Sequence, residues 1–110
     1  MFKRKTPIKQ MGKKVACFLS NYIKVEWLVL FGSYSYGHPR HDSDFDIAVV
    51  SEDLDKMSVL EKIDLFSKAA VSIDSRLELK GFGRNEFLNP ERGSMAEFIK
   101  NRGKIIYSAS

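Results

Sequence analysis

Apolar positions along the chain change their spacing from stretch to stretch, and each spacing predicts an element. Ile8, Met11, Val15, Leu19 and Tyr22 recur at three- and four-residue steps, the mark of a helix with one apolar face. Thr6-Pro7 ahead of them reads as an N-cap with proline at the first helical position. "VEWLVLF", Val25 to Phe31, is a β-branched and aromatic run, so it predicts a strand buried on both faces. "DFDIAVV", Asp44 to Val50, predicts a second strand. Ser58 and Glu61 form a capping-box pattern, and Leu60, Ile63, Phe66 and Ala70 continue it as an amphipathic helix. "VSIDSRLEL", Val71 to Leu79, alternates: Val71, Ile73, Leu77 and Leu79 on one side, Asp74, Arg76 and Glu78 on the other. That predicts a third strand with one polar face. "KGFGRNEFLNPERG" reads as a loop, Ser94 and Glu97 as a second capping box, Gly103 as a helix end and "KIIY" as a short last strand. The fold class expected is α/β (α+β): a small mixed β-sheet flanked by helices.

Composition narrows the class without changing the architecture. The chain has 110 residues, 44% hydrophobic and 29% charged, which predicts a single domain spanning 1–110 with one core. A single cysteine, Cys17, leaves no internal disulfide and suggests a reducing compartment. A packed, inert thiol is the expected state of Cys17 in the first helix. No apolar run approaches the roughly 20 residues of a membrane span. The basic start "MFKRKTPIKQ" is not followed by a signal-type apolar block. A cytoplasmic protein with no membrane association is expected. The net charge of +4 gathers at Lys3, Arg4, Lys5, Lys9, Lys13 and Lys14. It fits a solvated helix face, or a phosphate-bearing partner such as nucleotide or nucleic acid.

The chemistry concentrates in "FGSYSYGHPRHDSDFDIAVV", Phe31 to Val50. Asp44 and Asp46 are two apart on a predicted strand, so they share a face. Clustered carboxylates repel, and a divalent cation such as Mg²⁺ would relieve that repulsion while holding substrate phosphates. The D-x-D-x-D of Asp42, Asp44 and Asp46 also opens like an EF-hand loop. Ile47 stands where that loop needs glycine, which excludes it. Gly32 allows close backbone approach to a ligand directly after a strand. Ser33 adds a hydroxyl, and a turn starting there offers backbone N–H groups to an anion. A phosphate cradle at one strand end beside paired carboxylates on the next would hold a metal–triphosphate.

Gly32-Ser33, Gly37 and Ser43-Asp44-Phe45-Asp46 together resemble the G-S-x-x-x-G…S-D-x-D-hydrophobic signature of minimal nucleotidyltransferases, in the DNA polymerase β-like superfamily. The resemblance reaches to "MAEFIKNRGKIIY", which is similar to the family's closing helix and tail. It implies transfer of a nucleoside monophosphate from a nucleoside triphosphate, ATP being the expected donor, with two Mg²⁺ ions and release of pyrophosphate. It implies that Gly32, Ser33 and Ser43 hold the triphosphate, and that Asp44, Asp46 and a later carboxylate are catalytic and ligate metal. For the third carboxylate Asp74 is preferred to Glu78, because the family's third carboxylate tends to fall near a strand start. On one strand the two would lie about 13 Å apart, so both could not serve a metal pair about 4 Å across.

Two departures matter. Tyr36 stands where many family members carry arginine, so phosphate charge must be met elsewhere, by Arg40, Arg76 or a partner. The acceptor-binding domain of larger transferases is missing from these 110 residues. A homodimer or a helical partner protein is therefore expected, and the resemblance implies a toxin–antitoxin pair in which the partner is the acceptor. Two other classes stay open, a non-catalytic nucleotide-binding subunit and a basic nucleic-acid-binding module. His38 and His41 read as polar loop residues, Asp42 as a turn residue and Trp27 as core. Tyr34 and Tyr36 are open to either packing or base stacking.

Overall fold

The structure is a computed structural model that describes residues 8–32 and 45–109. Its elements run α1 (Ile8–Leu19), β1 (Trp27–Phe31), β2 (Phe45–Val50), a 3-10 turn (Glu52–Lys56), α2 (Val59–Ser72), β3 (Leu77–Phe82), α3 (Arg84–Leu88), α4 (Met95–Arg102) and β4 (Lys104–Ser108). The four strands form one sheet in the order β3-β2-β1-β4. β1 is antiparallel to both of its neighbours, and β2 and β3 are parallel. The parallel pair needs a long crossover, which the 3-10 turn and α2 supply. The result is the expected mixed sheet flanked by helices. Among the described residues no helix is long and apolar enough to cross a membrane.

Alternation along the central strands divides the core in two. Leu28, Leu30, Phe45, Ile47 and Val49 pack under α1 and α2 with Met11, Val15, Leu19, Leu65 and Ala69. Val29, Phe31, Ala48, Val50 and Phe82 pack under α3 and α4 with Phe87, Ala96 and Ile99. The unbroken apolar runs of β1 and β2 thus have the two buried faces expected of them. Asp46 shares the parity of Ala48 and Val50, so it belongs to the second face.

Local capping follows the sequence closely. Ser58 Oγ accepts from the Glu61 N–H at 3.1 Å, and the Glu61 carboxylate accepts from the Ser58 N–H at 2.8 Å. At α4 the Ser94 hydroxyl accepts from the Glu97 N–H, but the Glu97 carboxylate turns one residue back to the Gly93 N–H. Gly103 ends α4 as expected, and a Cβ there would press on Val29 and the Ile99 carbonyl.

Several expectations are corrected. The strand expected over Val71–Leu79 is two elements: α2 runs to Ser72, and β3 begins only at Leu77. The Asp74 carboxylate accepts from the Arg76 N–H at 2.9 Å, a local turn that stops the helix and restarts the chain as a strand. The glycine-rich stretch after it is a loop only over residues 89–93. β3 continues through Gly81, where a Cβ would stand 3.0 Å from Leu54 and 3.1 Å from Phe66, and α3 follows directly. The face of α2 is also rotated. Leu65 and Ala69 are buried, whereas Leu60 is 77% and Ile63 55% exposed. Tyr22 lies beyond the end of α1, exposed, with its ring 5.7 Å from Phe18. Cys17 is exposed rather than packed, being off the Met11–Val15–Leu19 stripe. Trp27 is half-buried against Phe87, which supports packing.

Candidate active site

Two of the expected site residues come together at the end of β1. Gly32 has φ of +83°, a conformation that side chains rarely adopt. A Cβ at this position would lie 2.5 Å from Asp46 Oδ2. The strand pairing explains the approach, since Phe31 is the register partner of Asp46 and Gly32 follows it immediately. Glycine thus does two things here: it turns the chain out of β1, and it leaves room beside a carboxylate. Asp46 is half-buried at the start of a strand whose next four residues are buried.

The parallel pairing adds a residue that the sequence reading ranked second. Glu78 is the register partner of Asp46 on β3, about 4.8 Å away between Cα atoms. Phe31, Asp46 and Glu78 therefore form one row across three strands. Lys80 is two residues beyond Glu78 and so shares its side of the strand. Glu78 is exposed and makes no ion pair among the described residues. The signal for Glu78 was present as the L-E-L-K alternation. In a strand from Val71 Asp74 stands near the start, whereas in the observed β3 it is Glu78 that is second in the strand.

Asp74 is set apart from this row. Its carboxylate accepts from Arg76 Nε at 3.2 Å and Arg76 Nη2 at 3.0 Å, besides the backbone bond. The side-chain hydrogen bonds from Arg76 hold its carboxyl below the ordinary carboxylate range, against an opposing push from burial. The Arg76 and Lys14 charges act in the same direction as those bonds. Arg76 in turn lies 4.6 Å from the centre of the Phe45 ring. Phe45 packs with the α1–α2 side of the sheet, and Lys14 is on α1. Asp74 and Arg76 thus belong to the face opposite Asp46. The expected strand placement of Asp74 beside Glu78 is corrected, and Arg76, one of the candidates for meeting phosphate charge, is paired with Asp74.

Ser33, Tyr34, Tyr36, Gly37, His38, Arg40, His41, Asp42, Ser43 and Asp44 lie outside the described residues, as do Thr6-Pro7 and the basic residues before them. No group of three metal-capable side chains occurs among the described residues. Asp46 and Glu78 supply two hard oxygen donors in adjacent strands, with the side-chain-free Gly32 beside them. That donor chemistry suits Mg²⁺ better than a soft metal. Two open grooves lie elsewhere, of about 440 Å³ by Lys24, Asp53 and Tyr107 and about 520 Å³ by Lys14, Cys17 and Ile73. Neither touches Gly32, Asp46 or Glu78.

A 68-residue stretch, 62% of the chain, is 37% identical to the protein adenylyltransferase MntA of Shewanella oneidensis. The match covers 48% of that protein, so the chain spans about half the length of this curated relative. A chain of a toxin–antitoxin crystal structure with AMP-PNP superposes with a TM-score of 0.63 at 26% identity, over 90% of this chain and 74% of that one. A chain from the complex of tri-AMPylated Shewanella oneidensis HEPN toxin with MNT antitoxin gives a TM-score of 0.58 at 25% identity, over 91% and 72% of the two chains. Residues 13–110 match the model of the polymerase β nucleotidyltransferase family, and the chain belongs to that family.

Proposed function

We propose that this chain is an Mg²⁺-dependent adenylyltransferase that moves AMP from ATP onto a hydroxyl of a partner protein, as one half of a toxin–antitoxin pair. The observation that carries the proposal is the Gly32–Asp46 contact with Glu78 in register beside it. The relatives support the choice of donor and acceptor: one is a protein adenylyltransferase, one structure contains AMP-PNP and another an AMPylated toxin.

In this reading Asp46 and Glu78, together with Asp44, hold the divalent cations. Glu78 takes the role first given to Asp74, whose charge is already matched by Arg76. Bound divalent cations would neutralise phosphate charge and lower the pKa of the attacking hydroxyl. Gly32 gives the triphosphate close backbone approach, with Ser33 and Ser43 as hydroxyl contacts. Lys80 is the basic group on the side of Glu78, placed to meet phosphate charge that Tyr36 cannot. In the reaction the acceptor oxygen forms a bond to the α-phosphorus. The bond from that phosphorus to the bridging oxygen breaks, pyrophosphate departs, and the hydroxyl proton passes to solvent.

Lysate of the native cells, supplied with the purified chain, Mg²⁺ and ATP labelled at either the α- or the γ-phosphate, tests the reading. A protein labelled only from the α-position, and not by Asp46→Asn, is the expected result. Label from the γ-position, or no α-label on any protein, overturns it.

A further inference from the structure

The row of Phe31, Asp46 and Glu78 continues on the other side of β1. Lys104 is the register partner of Leu30, so Gly103, one residue before it, stands level with Phe31. A Cβ on Gly103 would stand 3.2 Å from the Leu30 carbonyl oxygen, so the missing side chain lets the last turn of α4 lie against β1. Arg102 closes that turn. α4 packs through Ala96 and Ile99 on the face of the sheet to which Asp46 belongs.

The winding of α4 sets the direction in which Arg102 leaves it. Ile99 faces the sheet, and Lys100 Nζ donates to the Leu88 carbonyl oxygen at 2.6 Å, so the Lys100 flank lies against the end of α3. Phe98 and Arg102, four apart, share the other flank. α3 covers the Trp27 end of β1, where Phe87 meets Trp27, and α4 returns from there to the Phe31 end. With a right-handed β2–α2–β3 crossover on the opposite face, a right-handed helix running this way turns the Phe98–Arg102 flank toward β2. Phe98 is 45% exposed, and its ring centre lies 5.8 Å from the Arg102 guanidinium carbon. Attraction between cation and ring limits where the guanidinium can go.

We infer that Arg102 is the residue that meets the β- and γ-phosphates of the nucleotide, with Phe98 as its positioning residue. The inference rests on the proposed adenylyl transfer and names the group that receives its leaving pyrophosphate. In that reaction the α-phosphorus lies at the cations held by Asp46 and Glu78. Gly32 and Arg102 are on the β1–β4 side of those carboxylates, the side left for the two remaining phosphates, whereas Lys80 is on the β3 side. Negative charge grows on the pyrophosphate as its bond to the α-phosphorus breaks, and a guanidinium offers it two parallel N–H donors. Arg102 is also a basic residue in the last turn of α4, where a cation offsets the partial negative charge of the helix end. That second role affects stability and treats all nucleotides alike, so the two are separable.

Calorimetry on the full chain with Mg²⁺ tests the inference, using ATP, AMP and inorganic pyrophosphate as probes. Arg102→Gln and Arg102→Ala lower the affinity for ATP and for pyrophosphate by at least about tenfold, with AMP binding and circular dichroism unchanged. Arg102→Lys, a point charge without the fork, recovers part of the loss. Phe98→Leu weakens ATP binding less than Arg102→Ala does, and Phe98→Tyr restores it. Undiminished ATP affinity in both arginine variants, or a loss shared equally by AMP, overturns the inference and leaves the adenylyltransferase reading in place. A wild type that binds no ATP overturns that reading, and the inference with it.

Discussion

Asp46 and Asp74 belong to opposite faces of the same small sheet. Asp46 lies against Gly32, which brings no side chain of its own, and its register partner one strand over is a second carboxylate. Asp74 meets three N–H groups of Arg76, which itself stacks on Phe45. Like charges held on adjacent strands repel unless a cation joins them, whereas a carboxylate chelating a guanidinium is already compensated. The pair teaches that the number of carboxylates in a sequence says little about a site. What counts is the charge each of them meets after folding.

The comparison breaks most decisively at Asp46. Asp46→Asn should reduce α-phosphate label transfer by at least about a hundredfold, with the fold retained by circular dichroism. Glu78→Gln should follow with a loss of the same order, while Asp74→Asn leaves the rate within about threefold. If the losses at Glu78 and Asp74 come out the other way round, the row across β2 and β3 is not the metal site.

Gly32→Ala should come next. Its Cβ must displace the Asp46 carboxylate, and its φ of +83° adds strain of about 1–2 kcal/mol. Nucleotide affinity, read by calorimetry, should fall by at least about tenfold while the fold is retained. Undiminished binding would separate Gly32 from the nucleotide.

The smallest effect is expected at Asp74, and on stability alone. Asp74→Asn should cost about 1 kcal/mol in denaturant melts at neutral pH. The folded carboxyl titrates below its ordinary value of 3.8. Its contribution is therefore full above that value and is lost as the pH falls through the lower, folded value. Wild type and Asp74→Asn should converge in stability on acidification below about pH 4. A gap that persists in acid would mean that the side-chain shape, and not its charge, supports the turn.

Much of this was legible in residues whose information is local. Ser58 and Glu61 are three apart and cap α2 in the expected way. The apolar runs of β1 and β2 are buried on both faces as their composition implies. Gly32 was recognisable because it follows a strand directly, where only close approach or an unusual φ gives glycine a purpose. Misreadings arose where two local signals compete. Val71 to Leu79 satisfies strand alternation, yet Val71 and Ser72 continue a helix already capped and packed through Leu65 and Ala69. On α2 the apolar residues cover so much of the circumference that periodicity alone does not choose which stripe meets the sheet.

The sequence by itself determined the order of the elements other than α3, the caps of α2 and α4, the Gly32 turn and the parity that aims Asp46 at one face, because each depends on neighbours a few residues away. Only the tertiary structure decided that Glu78, and not Asp74, stands beside Asp46. β2 and β3 are parallel, so their register is set by where the intervening helix ends and docks, and not by any turn that joins them. The helix continues to Ser72 and the Asp74–Arg76 turn uses the next residues, which delivers Glu78 to the level of Asp46.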